Sequence, residues 1–258
     1  MEFVKLRELL INNTKSPEYD VGISTKSELL EFNILNKIPF LNEQKQLSII
    51  TSRPGMGKST FMLQLATTCA LIDNLPCYIF SLKETKEEIS YRIFSFAQNK
   101  DTINGLPIEI YSDKKLEIDD LEKAIIAHIS NGIVFVDSLE LVDSPSYRRT
   151  IAKLKSIAVN KKLHIVLVAS LPRIVGNINE RLKALSKLKH FNGADNIMVL
   201  HREPFDFEHP EKSNEVELIV ADGCFSKVVI ETLYWQRILF AQEKQNELFD
   251  FQEYFVYT

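Results

Sequence analysis

The chain is short of cysteine, carries no surplus of positive charge, and contains no apolar run long enough to cross a membrane. Its three cysteines among 258 residues, Cys69, Cys77 and Cys224, show neither paired nor metal-ligand spacing. A disulfide framework and a cysteine-held metal are therefore not expected. Cys69 falls in a helical pattern and Cys77 in a strand pattern, where a small buried thiol is the expected role. A formal net charge of −4 does not advertise nucleic acid as a partner, so any such contact must come from a local basic patch. The N-terminal stretch lacks a signal-peptide layout, and a reduced, cytoplasmic protein with no membrane contact is expected. Low-complexity tracts and internal repeats are absent too. What remains is ordinary globular composition, 45% hydrophobic and 26% charged, at a length that suits one large α/β domain with short extensions.

The most informative stretch is Ser52-Arg53-Pro54-Gly55-Met56-Gly57-Lys58-Ser59-Thr60. An apolar run, residues 47–51, precedes it, and a helical pattern with Met62, Leu65, Ala66 and Cys69 on one face follows. Strand, Gly-containing turn with Gly-Lys-Ser, then helix is the context of a phosphate-binding loop. Backbone N–H groups of 52–60 and the helix N-terminus would cradle the phosphates of a nucleotide. Lys58 would reach the β- and γ-phosphates, and the Ser59 hydroxyl would sit on Mg²⁺. Ser52 stands where the usual pattern begins with Gly.

Strand patterns at 47–51, 77–81, 108–111, 133–137, 164–169 and 197–201 alternate with helical patterns at 58–72, 85–98, 118–130 and 146–159. Such alternation predicts βαβ units and a mostly parallel sheet. Thr85 with Glu88 three residues on predicts a capping box for the second helix. His128, on the apolar face of the third, is expected as a partly buried core histidine. The basic residues Arg148, Arg149, Lys153, Lys155, Lys161 and Lys162 are expected on the wet face of the fourth. Beyond residue 210, two β-rich runs, 215–221 and 227–235, predict a hairpin. The domain plan is an N-terminal extension over 1–20, a nucleotide-binding domain over 21–240 and an aromatic tail over 241–258.

Ile133-Val134-Phe135-Val136-Asp137 is a buried-strand pattern ending in a carboxylate, about eighty residues beyond the phosphate loop. That is where a Walker B aspartate holds the Mg²⁺ shell, and Asp137 is expected in that role.

With both elements in place, the chain resembles the RecA-like C-terminal domain of DnaB-type replicative helicases. The resemblance runs from about residue 20 to about residue 240. Arg53-Pro54-Gly55-Met56-Gly57-Lys58-Ser59 is similar to the family's distinctive phosphate loop. Val21-Gly22-Ile23-Ser24-Thr25 with Leu29-Leu30, Phe80-Ser81-Leu82, Asp137-Ser138-Leu139-Glu140-Leu141, and Ala194-Asp195 with Ile197-Met198 and His201-Arg202-Glu203 resemble further family segments in the same order. The resemblance implies a RecA-like P-loop NTPase: a mostly parallel central sheet flanked by helices, closed by a C-terminal β-hairpin. It also implies ATP with Mg²⁺ as cofactors, single-stranded DNA as a partner, and a homo-oligomeric ring or a companion replication protein.

The departures are equally specific. Lys83 stands where the family carries its catalytic glutamate, and a cation cannot accept a proton from the attacking water. Glu84 and Glu140 are the nearby carboxylates that would substitute. Ser170-Leu171-Pro172 replaces the family's Ser-Gln-Leu sensor, and Asp222-Gly223-Cys224 replaces the Lys-x-Arg that enters a neighbour's site. An arginine finger is worth ~10³–10⁵ in rate, so its replacement weighs against fast turnover. Two readings follow. One is an ATP-dependent DNA helicase or translocase, with Lys58, Glu84 and Glu140 as the catalytic candidates. The other is a nucleotide-binding module that docks onto a replication or mobile-element protein. Within the segment between the last two parallel strands, Arg173, Arg181, Lys183, Lys187 and Lys189 are the candidates for tracking a nucleic-acid backbone.

Overall fold

The computed structural model describes residues 2–12, 46–97, 103, 105–171, 191–201, 215–223, 228–236 and 239–242. Among these residues, ten strands form one sheet in the order β1-β4-β3-β6-β8-β2-β9-β10-β11-β12. Its parallel centre consists of β4 (Ile108–Ser112), β3 (Cys77–Ser81), β6 (Ile133–Asp137), β8 (His164–Ser170), β2 (Gln46–Ser52) and β9 (Asn196–His201). The crossovers are α2 (Lys58–Ile72), α3 (Lys86–Ala97), α4 (Ile118–His128) and α5 (Tyr147–Lys161). At the far edge β10 (Glu215–Asp222), β11 (Val228–Gln236) and β12 (Leu239–Gln242) add antiparallel strands beyond β9. The expected helices and the hairpin are all present, with ends within a few residues of the sequence reading.

The period-2 alternation of the central strands explains the layering, because successive side chains of a strand point to opposite faces. Ile133 and Phe135 of β6 join a core with Phe61 and Leu65 of α2 and Ile89 and Ile93 of α3. Val134 and Val136 of the same strand join the opposite core, with Leu121 and Ile125 of α4 and Leu154 of α5. The sheet is thus sandwiched between two helical layers, as buried parallel sheets require.

Four details differ from the sequence reading. Helix α2 is buried from Phe61 through Ala70, all round rather than along one face, because it lies at the centre of its layer. The N-terminal extension contributes an edge strand, β1 (Val4–Lys5), paired antiparallel with β4, before helix α1 (Leu6–Asn12). Phe3 anchors it edge-on against Tyr78 and Phe80, at centroid distances of 6.0 and 5.2 Å. Two residues are too few for an alternation to register in sequence. The pair β5 (Leu116–Glu117) and β7 (Val142–Asp143) escaped for the same reason. His128 is exposed at the end of α4, with its ring 6.1 Å from that of Phe3, rather than partly buried in the core.

The Thr85–Glu88 capping box forms as expected. Thr85 N–H donates to Glu88 Oε2 at 2.8 Å, and Glu88 N–H donates to Thr85 Oγ1 at 3.2 Å. On α5 the wet-face expectation holds only in part: Lys153 pairs with Asp119 and Glu122, and Lys155 with Asp195. Among the described residues, no helix is long and apolar enough to cross a membrane.

Candidate nucleotide-binding site

Residues 52–60 form the turn that joins β2 to α2 at the C-terminal edge of the parallel strands. Gly55 and Gly57 sit at φ 81° and 86°, the left-handed region that a Cβ disfavours. Gly57 caps α2 and its carbonyl accepts the Phe61 N–H at 2.9 Å, so the helix opens at Lys58 with its first amides turned toward the loop. Ser52, buried at the end of β2, accepts the Leu171 N–H at 2.8 Å and so ties the loop's base to the end of β8.

The Lys58 ammonium bends back over this turn. Its Nζ donates to the carbonyls of Ser52 and Arg53, both at 3.2 Å. Burial pushes its pKa below the ordinary 10.5, and the nearby charge of Lys83 pushes the same way. Glu140 and Asp137 oppose them in part. Ser59 and Thr60 are half-buried on the first turn of α2, Arg53 and Met56 are half-buried in the loop, and Pro54 is exposed.

Asp137 ends β6 with 1% of its surface exposed. It lies level with Ser81 of the adjacent β3, and its carbonyl accepts the Leu82 N–H at 2.6 Å. That register carries the next residue, Lys83, over the carboxylate: Lys83 Nζ stands 3.5 Å from Asp137 Oδ1.

The two carboxylates expected to replace the glutamate differ in their surroundings. Glu84 is gripped through both oxygens by Arg92 Nη1, at 2.5 and 2.8 Å, while Arg92 Nη2 donates to Thr60 Oγ1 at 2.5 Å. Glu140 lies in the 3₁₀ turn Leu139–Leu141 just beyond Asp137, and its Oε1 accepts the Ser170 N–H. Its Oε2 is buried without a hydrogen-bond partner among the described residues.

Arg92 is the residue that sequence reasoning missed. Its signal was present, for it sits on the apolar row of α3 between Ile89 and Phe96, where a surface arginine does not belong. Arg173, Arg181, Lys183, Lys187 and Lys189 lie outside the described residues, as do Val21–Leu30, Arg202, Glu203 and Cys224.

A phosphate loop between a central parallel strand and a helix, with an acid-ended strand two places away in the sheet, defines a RecA-like P-loop NTPase fold. A solved ATPase domain superposes with a TM-score of 0.69 at 18% identity, over 93% of this chain and 99% of that one. A DnaB-like replicative helicase, solved with attention to its interactions with primase, gives 0.67 at 18% identity, over 88% and 65%. The model of the DnaB-like helicase C-terminal domain matches residues 30–102. A probable replicative DNA helicase of Trieres chinensis is 26% identical over 221 residues, covering 69% of this chain and 49% of its own. The replicative DNA helicase DnaB of Pasteurella multocida is 24% identical over 251 residues, covering 82% and 53%. Over residues 30–102 the chain is thus similar to the DnaB-like helicase C-terminal domain, and its fold is that of the matched ATPase domain. It spans about half the length of the curated relatives it matches.

Proposed function

We propose that the chain is the nucleotide-binding motor domain of a replicative helicase, taking ATP in the 52–60 loop and acting on single-stranded DNA in the cytoplasm. The observation that carries this reading is the arrangement at the strand ends: Lys58 folded over the loop, with Asp137 buried nearby at the end of β6. An anion entering there meets a desolvated ammonium and the first amides of α2, which is a strong setting for polyphosphate.

The donors expected at Mg²⁺ are Ser59 and Asp137, but Asp137 already has the Lys83 ammonium 3.5 Å from its Oδ1, so the pair does not offer the ion a free carboxylate. Lys58 would contact the transferred phosphoryl group. Between the two carboxylates, the unpartnered Oε2 favours Glu140 as acceptor of the attacking water's proton, since both oxygens of Glu84 are held by Arg92. A homo-oligomeric ring, or docking on another replication protein, supplies the remaining groups in this reading.

The second reading, nucleotide binding with little turnover, is favoured by one observation. The side chain that follows Leu82 is a lysine turned toward Asp137, not a carboxylate.

Steady-state ATP hydrolysis, measured with and without single-stranded DNA across a range of protein concentrations, tests the proposal. Turnover that DNA stimulates, and that Lys58→Ala and Glu140→Gln each abolish, is the expected result for a motor. Intact ATP alongside measurable binding rejects the motor and leaves the second reading.

A further inference from the structure

Four charged groups meet at the C-terminal ends of the central strands: Lys58 and Lys83 against Asp137 and Glu140. Asp137 is buried, whereas the Lys83 side chain is 38% exposed, so the ammonium stands at the mouth and the carboxylate beneath it. Among the described residues, no group of three or more His, Cys, Asp or Glu could hold a metal ion. The carboxylate that would support a divalent cation already has a cation beside it, tethered to the adjacent strand. A tethered group acts at an effective concentration that a free ion must compete against. Lys83 is also close enough to Lys58 for the two ammoniums to repel each other.

We propose that Lys83 is a built-in counter-cation for the phosphates of a bound nucleoside di- or triphosphate. At Asp137 it takes the place that a divalent cation would otherwise hold, so that nucleotide binding by this chain is largely independent of Mg²⁺. The inference rests on the reading of the 52–60 loop as a nucleotide site and adds how the charge of the ligand is balanced there. The chemistry is that of a lysine as a compact point charge beside phosphate oxygens. Lys83 is a ligand-binding residue in this account, with no bond made or broken.

The test is calorimetric titration of the full chain with ADP and with ATP, each in excess MgCl₂ and in excess EDTA. Wild type, Lys83→Ala, Lys83→Arg and Lys58→Ala are compared after each is shown to unfold cooperatively. The wild-type Kd is expected to change less than about threefold between the two conditions. Lys83→Ala is expected to bind in MgCl₂ but to lose at least about tenfold in EDTA, while Lys83→Arg behaves as wild type. A merely structural role for Lys83 would weaken binding equally in both conditions and so overturns the proposal. Wild-type binding that collapses in EDTA overturns it as well, yet leaves the nucleotide reading intact. No binding of either nucleotide in either condition rejects that reading and the inference together.

Discussion

The carboxylate of Asp195 accepts the backbone N–H of Leu47 at 2.6 Å, across 148 positions of sequence, and the same oxygen takes the ammonium of Lys155. Asp195 N–H returns a bond to the Leu47 carbonyl at 2.8 Å. The start of β2, the strand that leads into the phosphate loop, is thereby clamped to the turn before β9 and to α5. Beside this clamp, Asn196 Nδ2 donates to Gln46 Oε1 at 2.6 Å. Leu47 is fully buried, so its amide has no water to turn to.

Replacing Asp195 therefore strands a buried donor. Asp195→Ala is expected to cost about 1–3 kcal/mol, most of it from the orphaned amide, since the part-exposed lysine pair adds little. Asp195→Asn retains an acceptor and should cost less. Urea unfolding of the two variants checks the ranking, and equal losses would contradict it.

Arg92 ties Glu84 to Thr60 through an ion pair in which both side chains are 27% exposed. Arg92→Met removes the bidentate grip but keeps the packing of the stem against α3's apolar row. A loss of about 1 kcal/mol is expected, with a matching coupling to Glu84→Gln in a double-mutant cycle. A coupling of zero would mean that the two groups do not act as a pair in solution.

Lys58 binds its proton less tightly in the folded chain than in the unfolded one, because burial outweighs the nearby carboxylates. The penalty is fully present below the lowered pKa. Stability of the ligand-free protein should therefore rise with pH through the window between that value and 10.5, and be lost again as pH falls. Lys58→Met removes the desolvated charge and is expected to raise the melting temperature of the ligand-free chain by about 2–4 °C. It should also abolish any rise in melting temperature caused by added ATP. Thermal melts over an alkaline pH series, with and without nucleotide, measure both effects, and a Lys58→Met melt below wild type would reverse the first.

Cys69 and Cys77 are buried, and burial raises both thiols, Cys69 to about 12. The thiolate is the reactive species, so neither should label in the native chain near neutral pH. Peptide mapping after thiol alkylation, native against denatured, should find both sites modified only after unfolding. Rapid native labelling of either would place it outside the core.

Much of this molecule is legible locally. The phosphate loop, α2 to α5, the six central strands and the capping box all rest on period, turn chemistry or residue spacing within a few positions. Those are properties a single stretch of chain carries by itself.

What the sequence could not supply is which distant charges meet. Lys83 finds Asp137 because β3 and β6 are neighbours in register, with Ser81 level with Asp137, and no local pattern encodes that order. Arg92 reaches Thr60, and Asp195 reaches Leu47, for the same reason: the partners are chosen by how the strands and helices pack. The sequence by itself determined the elements and the phosphate loop, since periodicity and turn residues act over a few positions. Tertiary structure alone decided the electrostatic state of the site, because charges interact through space and only the packed sheet sets their distances.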